Sequence, residues 1–323
     1  MSLADNIFIE MCTDILENGT DTKGEAVRPH WEDGTKAHTI KQFGICNKYD
    51  LRKEFPALTL RPTGLKSCMD ELLWIWQKKS NNIHNLNSHI WDSWADETGS
   101  IGKAYGYQLR VRYPVKSVTK QQLEIVFPDG EWQYVNTNLY YVRKDHPECV
   151  YAAYNKERNC YMMDQVNKVI YDLKTTPYSR RIMTSIYNFA DLDEMALHPC
   201  AYSMTFNVTK HGDKLVLNSI LNQRSNDVLT ANNWNVAQYA ILTMMIAQVC
   251  DMVPGMFIHM IADAHIYDKH VDIIKELIQR KPYPAPTVTL NPTIHNFYDF
   301  TTDDLHVENY QKHAQVKHIP VAI

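Results

Sequence analysis

The sequence predicts an α+β protein in which a mixed β-sheet is covered by helices, one of them long and buried. Strand-like and helix-like runs fall in separate groups along the 323 residues. Residues 201–208 and 214–221 are both strand-like and are joined by His211-Gly212-Asp213, so we expect a hairpin. Residues 235–250 are apolar nearly all round, which is typical of a buried helix.

The first half of the chain contains two predicted helices. Apolar spacing predicts the first over 3–16, and a second begins at Ser67. The second helix leaves Asp70 and Glu71 side by side. Because neighbouring helical side chains point about a hundred degrees apart, we expect only one of the two carboxylates to face the core. Strands are predicted over 39–47 and 58–60.

The segment of about 113–163 differs in character from the rest of the chain. It has β-type runs at 123–127 and 132–135, separated by the turn signal Pro128-Asp129-Gly130. We interpret it as an inserted, hairpin-like excursion without chemistry of its own, within a single domain that spans 1–323. The other predicted elements are a helix over 165–173, a strand-like alternation over 182–186, a helix-like run over 192–197, a strand over 256–260 and a helix over 267–278.

Composition excludes several functional classes. A net charge of −4 offers no basic surplus for binding a nucleic-acid backbone. The chain starts without a signal-like pattern and contains no run of eighteen apolar residues, so we expect a soluble, cytoplasmic protein without a membrane partner. Its seven cysteines are scattered and form no CxxC pair, so we expect free thiols and no metal.

One stretch, residues 178–235, concentrates the chemistry. It contains the thiol of Cys200 and the guanidiniums of Arg180, Arg181 and Arg224. Guanidiniums bind anions through paired N–H groups, and a thiolate is a strong nucleophile. The combination suits an anionic ligand held against a nucleophile.

A set of motifs is spread over the chain. They are Glu71-Leu72-Leu73-Trp74, Ile90-Trp91-Asp92-x-Trp94-Ala95-Asp96, Tyr178-Ser179-Arg180-Arg181, Met195-Ala196-Leu197-His198-Pro199-Cys200, Gln223-Arg224-Ser225-x-Asp227, Asn235-Val236-Ala237-x-Tyr239, Asp263-Ala264-His265-Ile266-Tyr267 and Pro320-Val321-Ala322-Ile323. As a set, and in this order, these motifs resemble the thymidylate synthase family.

The resemblance implies methylation of dUMP to dTMP, with 5,10-methylenetetrahydrofolate supplying carbon and hydride and no metal. Cys200 would add to carbon 6 of the pyrimidine, and Arg224 would favour its thiolate. Glu71 would be the general acid and base working through water, Tyr105 would assist proton removal at carbon 5, and Asn235 would read the uracil edge.

The resemblance also assigns the remaining binding residues. The phosphate would be held by Arg28, Arg180, Arg181, Arg224 and Ser225. Arg180 and Arg181 would come from the partner subunit, which implies a sheet-to-sheet homodimer. His265 and Tyr267 would hold the sugar, with Asp227 at the substrate and folate sites. Trp91, Trp94 and Leu197 would line the folate site, and Ala322 and Ile323 would close over it as a lid.

Some positions depart from the family pattern: Ala201, Ala262 and the stretch 230–234. They leave a second interpretation open, a hydroxymethylase acting on dUMP, dCMP or CMP with the same folate and capture by water. Asn235 favours uracil, and the intact C-terminal motif favours hydride transfer. A binding protein without turnover is a third interpretation, but such a protein would not need Cys200 and Glu71.

Overall fold

A computed structural model describes residues 2–322. The α+β prediction is confirmed. The main sheet has seven strands in the order β1-β2-β12-β10-β9-β8, and β11 pairs with β12. Its strands are β1 (Thr20–Asp21), β2 (Thr39–Asp50), β8 (Met183–Ser185), β9 (Ala201–His211), β10 (Lys214–Gln223), β11 (Asn226–Asp227) and β12 (Val253–Tyr267).

The register of the main sheet gathers several predicted site residues at one edge. The predicted hairpin is confirmed: β9 and β10 are antiparallel, with Ala201 opposite Gln223. Strand β12 runs parallel to β10 and pairs Gln223 with Ile261. Cys200 immediately precedes β9 and Arg224 immediately follows β10, so both lie at the carboxyl end of β10 and beside the later half of β12.

Seven α-helices accompany the strands within residues 2–322. They are α1 (Leu3–Asn18), α2 (Leu65–Leu72), α3 (Gly106–Arg110), α4 (Lys120–Val126), α5 (Gln165–Thr175), α6 (Asn232–Val249) and α7 (Val271–Leu277). Helix α2 continues into a π-helical turn, Leu73–Gln77. Helix α6 connects the parallel strands β10 and β12, and its residues 236–243 are all buried. The prediction of one long buried helix is therefore confirmed.

Residues 113–163 form a separate five-stranded sheet in the order β3-β7-β6-β5-β4. Its strands are β3 (Tyr113–Val115), β4 (Gly130–Val135), β5 (Asn138–Arg143), β6 (Val150–Asn155) and β7 (Cys160–Met163). Elsewhere in the chain, β13 (Thr287–Leu290) and β14 (Leu305–Glu308) form a two-stranded sheet. Buried residues of the segment 113–163, among them Leu123 in α4 and Tyr151 in β6, belong to the same hydrophobic core as α6.

The predicted strand over 123–127 is wrong, because this segment belongs to α4. Thr119 and Gln122 form a reciprocal capping box at the start of the helix. Leu123 and Val126, three residues apart, then face the core. The β-branched composition of the run concealed this helical spacing.

Two further predictions need correction. Residues 58–60 form no strand, because the buried carboxylate of Asp5 takes the backbone N–H and the hydroxyl of Thr59 at 2.7 and 2.6 Å. The helix predicted over 192–197 is a 3₁₀ turn, Phe189–Glu194, that begins at the Asn188 cap. Helices within residues 2–322 are all too short or too polar to cross a membrane.

Candidate active site

Cys200 lies against the guanidinium of Arg224. The Arg224 side chain donates to the carbonyls of His198 at 2.7 Å and Pro199 at 3.0 Å, and its Nη2 lies 3.8 Å from the Cys200 sulfur. Burial raises the pKa of the Cys200 thiol, while the positive charges of Arg224 and Arg28 oppose that rise. Arg224 thus supports the thiolate and keeps further N–H donors available for an anion.

Tyr105 lies directly behind the nucleophile. Its hydroxyl accepts the backbone N–H of Cys200 at 3.3 Å, and burial raises its pKa well above the ordinary tyrosine value. Its backbone has φ 45°, in the left-handed region that L-residues rarely adopt. Strained backbone of this kind persists where the surroundings enforce it, often at functional sites. The phenol is therefore neutral and held in place.

Glu71 is a buried carboxylate that receives only neutral hydrogen-bond donors. Trp91 donates to Oε1 at 2.6 Å, while Gln238, at 2.8 Å, and Trp234 both donate to Oε2. Burial raises the pKa of Glu71, and these three hydrogen bonds lower it, with a net increase. A carboxyl group with raised proton affinity is suited to accepting and returning a proton.

The expectation that only one of Asp70 and Glu71 is buried is wrong. Both are less than a tenth exposed, at 7% and 6%. Asp70 points under a neighbouring loop, where it accepts the backbone N–H and the side-chain amide of Asn87 at 3.0 and 2.8 Å. A loop can cover a second face of a helix, which the spacing on α2 could not reveal.

An aromatic cluster connects the carboxylate with the thiol. The Trp91 ring lies 4.8 Å from that of Tyr105 and 5.7 Å from that of Trp94, both edge-on. Trp94 and Leu197 are half-buried and pack against the main core. A partly exposed indole beside apolar side chains can accommodate a flat heterocycle such as the pterin of a folate.

Asn235 is oriented by two residues that sequence reasoning did not assign. Gln223 donates from Nε2 to the backbone carbonyl of Ser225 at 2.9 Å and to Oδ1 of Asn235 at 3.0 Å. A carbonyl can only accept, so this contact fixes the orientation of the Gln223 amide. Its oxygen then accepts Nε2–H of His259 at 2.8 Å. Asn235 consequently keeps Nδ2 and one lone pair of Oδ1 free.

His259 had no sequence signal, since it occupies an ordinary strand position in β12. Its side chain is fully buried, and burial lowers its pKa to about 3, so the ring is neutral. Gln223 was visible in a motif, but nothing in the motif indicated which atoms it contacts.

The later half of β12 carries the predicted sugar-binding residues. His265 is buried, its Nδ1 lies 2.7 Å from Asp263, and its ring lies edge-on to Tyr267 at 5.0 Å. Burial raises the pKa of Tyr267 to about 12, so its hydroxyl stays protonated. Arg28 is exposed in a loop, and its positive charge opposes the rise in the pKa of both Cys200 and Tyr267.

Asp227 has structural contacts that the sequence did not predict. Its carboxylate accepts the backbone N–H groups of Leu229 and Thr230 and the Thr230 hydroxyl. Burial alone would raise its pKa, but the neighbouring imidazole of His270, whose Nδ1 lies 3.6 Å from the carboxylate, and the hydrogen bond from Thr230 outweigh burial and lower it. His270 also bonds the Pro320 carbonyl at 2.8 Å.

The C-terminal segment is therefore attached beside Asp227. Ala322 is half-buried at the end of the described chain. Ile323, the last residue of the predicted lid, lies outside the described residues.

Arg180 and Arg181 are both exposed, just before the edge strand β8. Within residues 2–322 their guanidiniums form no hydrogen bond or ion pair, so the structure does not join them to the Cys200 cluster in one chain. Nor does the described part of the chain contain a group of three or more His, Cys, Asp or Glu side chains that could hold a metal ion.

The departures from the family pattern have local explanations. Ala201 is buried at the start of β9, and Ala262 is exposed on β12 without a positive φ. Both ends of the stretch 230–234 form hydrogen bonds with site residues. The Thr230 hydroxyl donates to Asp227, and the Trp234 indole N–H donates to Glu71.

Comparison with known proteins agrees with this arrangement. The sequence model of the thymidylate synthase family matches residues 6–323. Thymidylate synthase 1 of Bacillus subtilis (strain 168) is 36% identical over 327 residues, and so is the thymidylate synthase of Bacillus phage phi3T, with all of both chains covered in each case. The solved structure of thermostable thymidylate synthase A from Bacillus subtilis superposes with a TM-score of 0.78 at 34% identity, covering 99% of each chain. The chain belongs to the thymidylate synthase family.

Proposed function

We propose that this enzyme methylates dUMP to dTMP with 5,10-methylenetetrahydrofolate. Family membership supports the reaction class. The observation that carries the substrate assignment is the fixed amide of Asn235, whose partner Gln223 directly precedes Arg224, the residue that contacts Cys200.

The orientation of Asn235 matches uracil. Gln223 already occupies one lone pair of Asn235 Oδ1, so Nδ2 is the group left to donate to a ligand. Uracil presents a carbonyl at position 4 and an N–H at position 3, which meet Nδ2 and the remaining lone pair of Oδ1. Cytosine presents an amino group at position 4, which would face Nδ2 donor to donor. Turning the amide over would break the bond to Gln223.

The nucleophile is Cys200. Carbon 5 of uracil is a weak nucleophile until a group adds at carbon 6, and the thiolate makes that bond. The charge of Arg224 favours the thiolate. Carbon 5 would then bond to the one-carbon unit of the folate. Loss of the carbon 5 proton, with Tyr105 positioned behind Cys200, would release the folate amine, and addition of the folate's hydride to the transferred carbon would release the thiolate. The nucleophile is regenerated.

Glu71 handles protons around the ring through water. Its raised pKa and its burial beside Trp91 suit a group that both gives and takes a proton. The folate supplies the one-carbon unit and the hydride, and the half-buried surface of Trp94 and Leu197 beside Trp91 fits its flat ring.

We further propose that the enzyme is a homodimer formed through the open face of the main sheet. Phe43 and Met183 on this sheet are 87% and 51% exposed, and Met260 pairs with Cys46 at an exposed position. Large apolar side chains exposed on a sheet are typical of an interface. The free guanidiniums of Arg180 and Arg181 lie next to it, where a partner could use them for phosphate together with Arg28, Arg224 and Ser225.

We also propose that the chain is one catalytic domain with an insertion at about 113–163, because a single core includes residues of both sheets. The cytoplasmic location stays a prediction.

The test is a product assay with dUMP, dCMP and CMP side by side. We expect turnover with dUMP and the formation of one dihydrofolate per dTMP. Absorbance measures the dihydrofolate, and chromatography measures the nucleotide product. A hydroxymethylated nucleotide formed without dihydrofolate would establish the hydroxymethylase alternative instead. None of the relatives compared above favours that alternative, since each is named as a thymidylate synthase.

A further inference from the structure

The carboxylate of Glu71 receives an indole N–H that the reaction proposed above does not require. Trp234 lies in the first turn of α6 and donates from Nε1 to Oε2 of Glu71. Gln238 lies one helical turn later and donates to the same oxygen at 2.8 Å. Side chains four residues apart on a helix share a face, so α6 presents both donors together.

The two oxygens of Glu71 are therefore unequal. A carboxylate has about four lone-pair sites, two on each oxygen. Oε2 uses both of its sites, for Trp234 and Gln238, whereas Oε1 uses one, for Trp91 at 2.6 Å. A proton placed on Oε2 would face two N–H groups, but a proton or water at Oε1 has a free site.

We propose that Trp234 is a positioning residue that saturates Oε2 of Glu71 and so confines proton exchange with the cleft to Oε1. This inference rests on the proposed function in one respect, which is that Glu71 exchanges protons during the reaction. Trp234 is itself half-buried at the cleft side of α6, so it also limits the approach of water to Oε2.

Removing the indole N–H should make Glu71 easier to protonate. In Trp234→Phe, Oε2 regains a free site, and the carboxylate loses one charge-assisted hydrogen bond. Such a bond favours the charged form by an amount that corresponds to about one pH unit or slightly more. We expect the protonation midpoint of Glu71 to rise by that amount. The acid limb of the pH profile of kcat/KM should move upward with it.

The midpoint is measured by pH-difference infrared spectroscopy of the carboxylic-acid band, with Glu71→Gln subtracted to isolate the Glu71 signal. Gln238→Leu removes the other donor on Oε2 and should move the midpoint in the same direction. The matched control is Trp132→Phe, because Trp132 donates its indole N–H to Glu124 at 2.8 Å in the five-stranded sheet, away from the site. The control should leave the midpoint and the rate unchanged.

An unchanged midpoint in Trp234→Phe, with a lower melting temperature alone, would show that Trp234 only packs. If that variant does not fold, benzothienylalanine at position 234 keeps the ring shape and replaces the N–H by sulfur, and the same rise in the midpoint is expected. The spectrum needs no substrate. A shifted midpoint without dUMP turnover would refute only the proposed reaction, and turnover with an unshifted midpoint would refute only the role of Trp234.

Discussion

Two buried carboxylates, Glu71 and Asp164, differ in the charge of their partners. Asp164 is fully buried at the start of α5 and forms ion pairs with Lys79 and Arg112. Asn167 adds a backbone N–H to it at 2.9 Å. Glu71 is as deeply buried but receives donors from two indoles and an amide, all neutral.

The difference separates a structural carboxylate from a chemical one. Cations hold a carboxylate in its charged form, and breaking such a buried pair leaves an uncompensated charge. Neutral donors satisfy the oxygens without supplying a compensating charge, so burial still raises the pKa of Glu71. We therefore propose that the region around Glu71 and Cys200 serves proton transfer, whereas Asp164, with Lys79 and Arg112, serves stability.

The largest expected effect is at Cys200, because the proposed reaction requires its thiolate. Cys200→Ser should lower kcat by roughly 10⁴-fold or more, as loss of a nucleophile does in other enzymes. Binding of dUMP, measured by calorimetry, should persist because Arg224 and Asn235 remain. Cys149→Ser, at a half-buried position in the loop between β5 and β6, serves as the thiol control. Retained activity in Cys200→Ser would exclude covalent catalysis.

Replacing Glu71 by glutamine should separate rate from stability. We expect kcat to fall by about 10²- to 10⁴-fold, the usual contribution of a general acid and base. The folded protein binds the Glu71 proton more tightly than the unfolded chain does. Its contribution to stability is therefore present below the ordinary glutamate pKa and is lost as the pH rises through the raised value. Glu71→Gln removes this pH dependence, although its NH2 group would face at least one of the three N–H donors, which costs about 1–3 kcal/mol. The loss of melting temperature should therefore be smaller at neutral pH than at acid pH, and a loss that does not change with pH would contradict the comparison.

Asp164→Asn should lower the stability of the fold and leave kcat nearly unchanged. It leaves Lys79 buried without its anion, which costs about 3–5 kcal/mol in the free energy of unfolding. Urea denaturation would measure this loss, while kcat of the folded fraction should change little. The double variant Lys79→Met with Asp164→Asn removes the orphaned charge and should recover much of the stability. No recovery would mean that the loss arises at Arg112, the other cation paired with Asp164, because asparagine can still cap α5.

Sequence patterns predicted the elements whose side chains repeat with a period, such as α6 and the β9–β10 hairpin. They failed at α4, where β-branched residues suggested a strand although the apolar spacing is helical. They also failed at residues 58–60, where the backbone N–H of Thr59 donates to the Asp5 carboxylate instead of to a neighbouring strand. The residue pattern alone predicted Cys200, Arg180, Arg181 and Arg224 as candidate site residues, and the family resemblance supplied the others. Their partners could not be predicted, because the bonds of Trp234 and Gln238 to Glu71 join positions more than 160 residues apart, at 163 and 167.

The smallest effect expected is a change in base preference, and it extends the comparison to a third site. Asn235→Asp would place a carboxylate among neutral partners, as at Glu71, since Gln223 is the residue that bonds Asn235 Oδ1. An acceptor in place of Nδ2 would meet the amino group of cytosine and repel the carbonyl of uracil. We expect the ratio of kcat/KM for dUMP to that for dCMP to fall about 10- to 100-fold, the scale of one polar contact in discrimination. Gln223→Leu should also lower this ratio, because the Asn235 amide is then free to turn over and accept cytosine. A ratio that is unchanged in both variants would mean that other residues read the base.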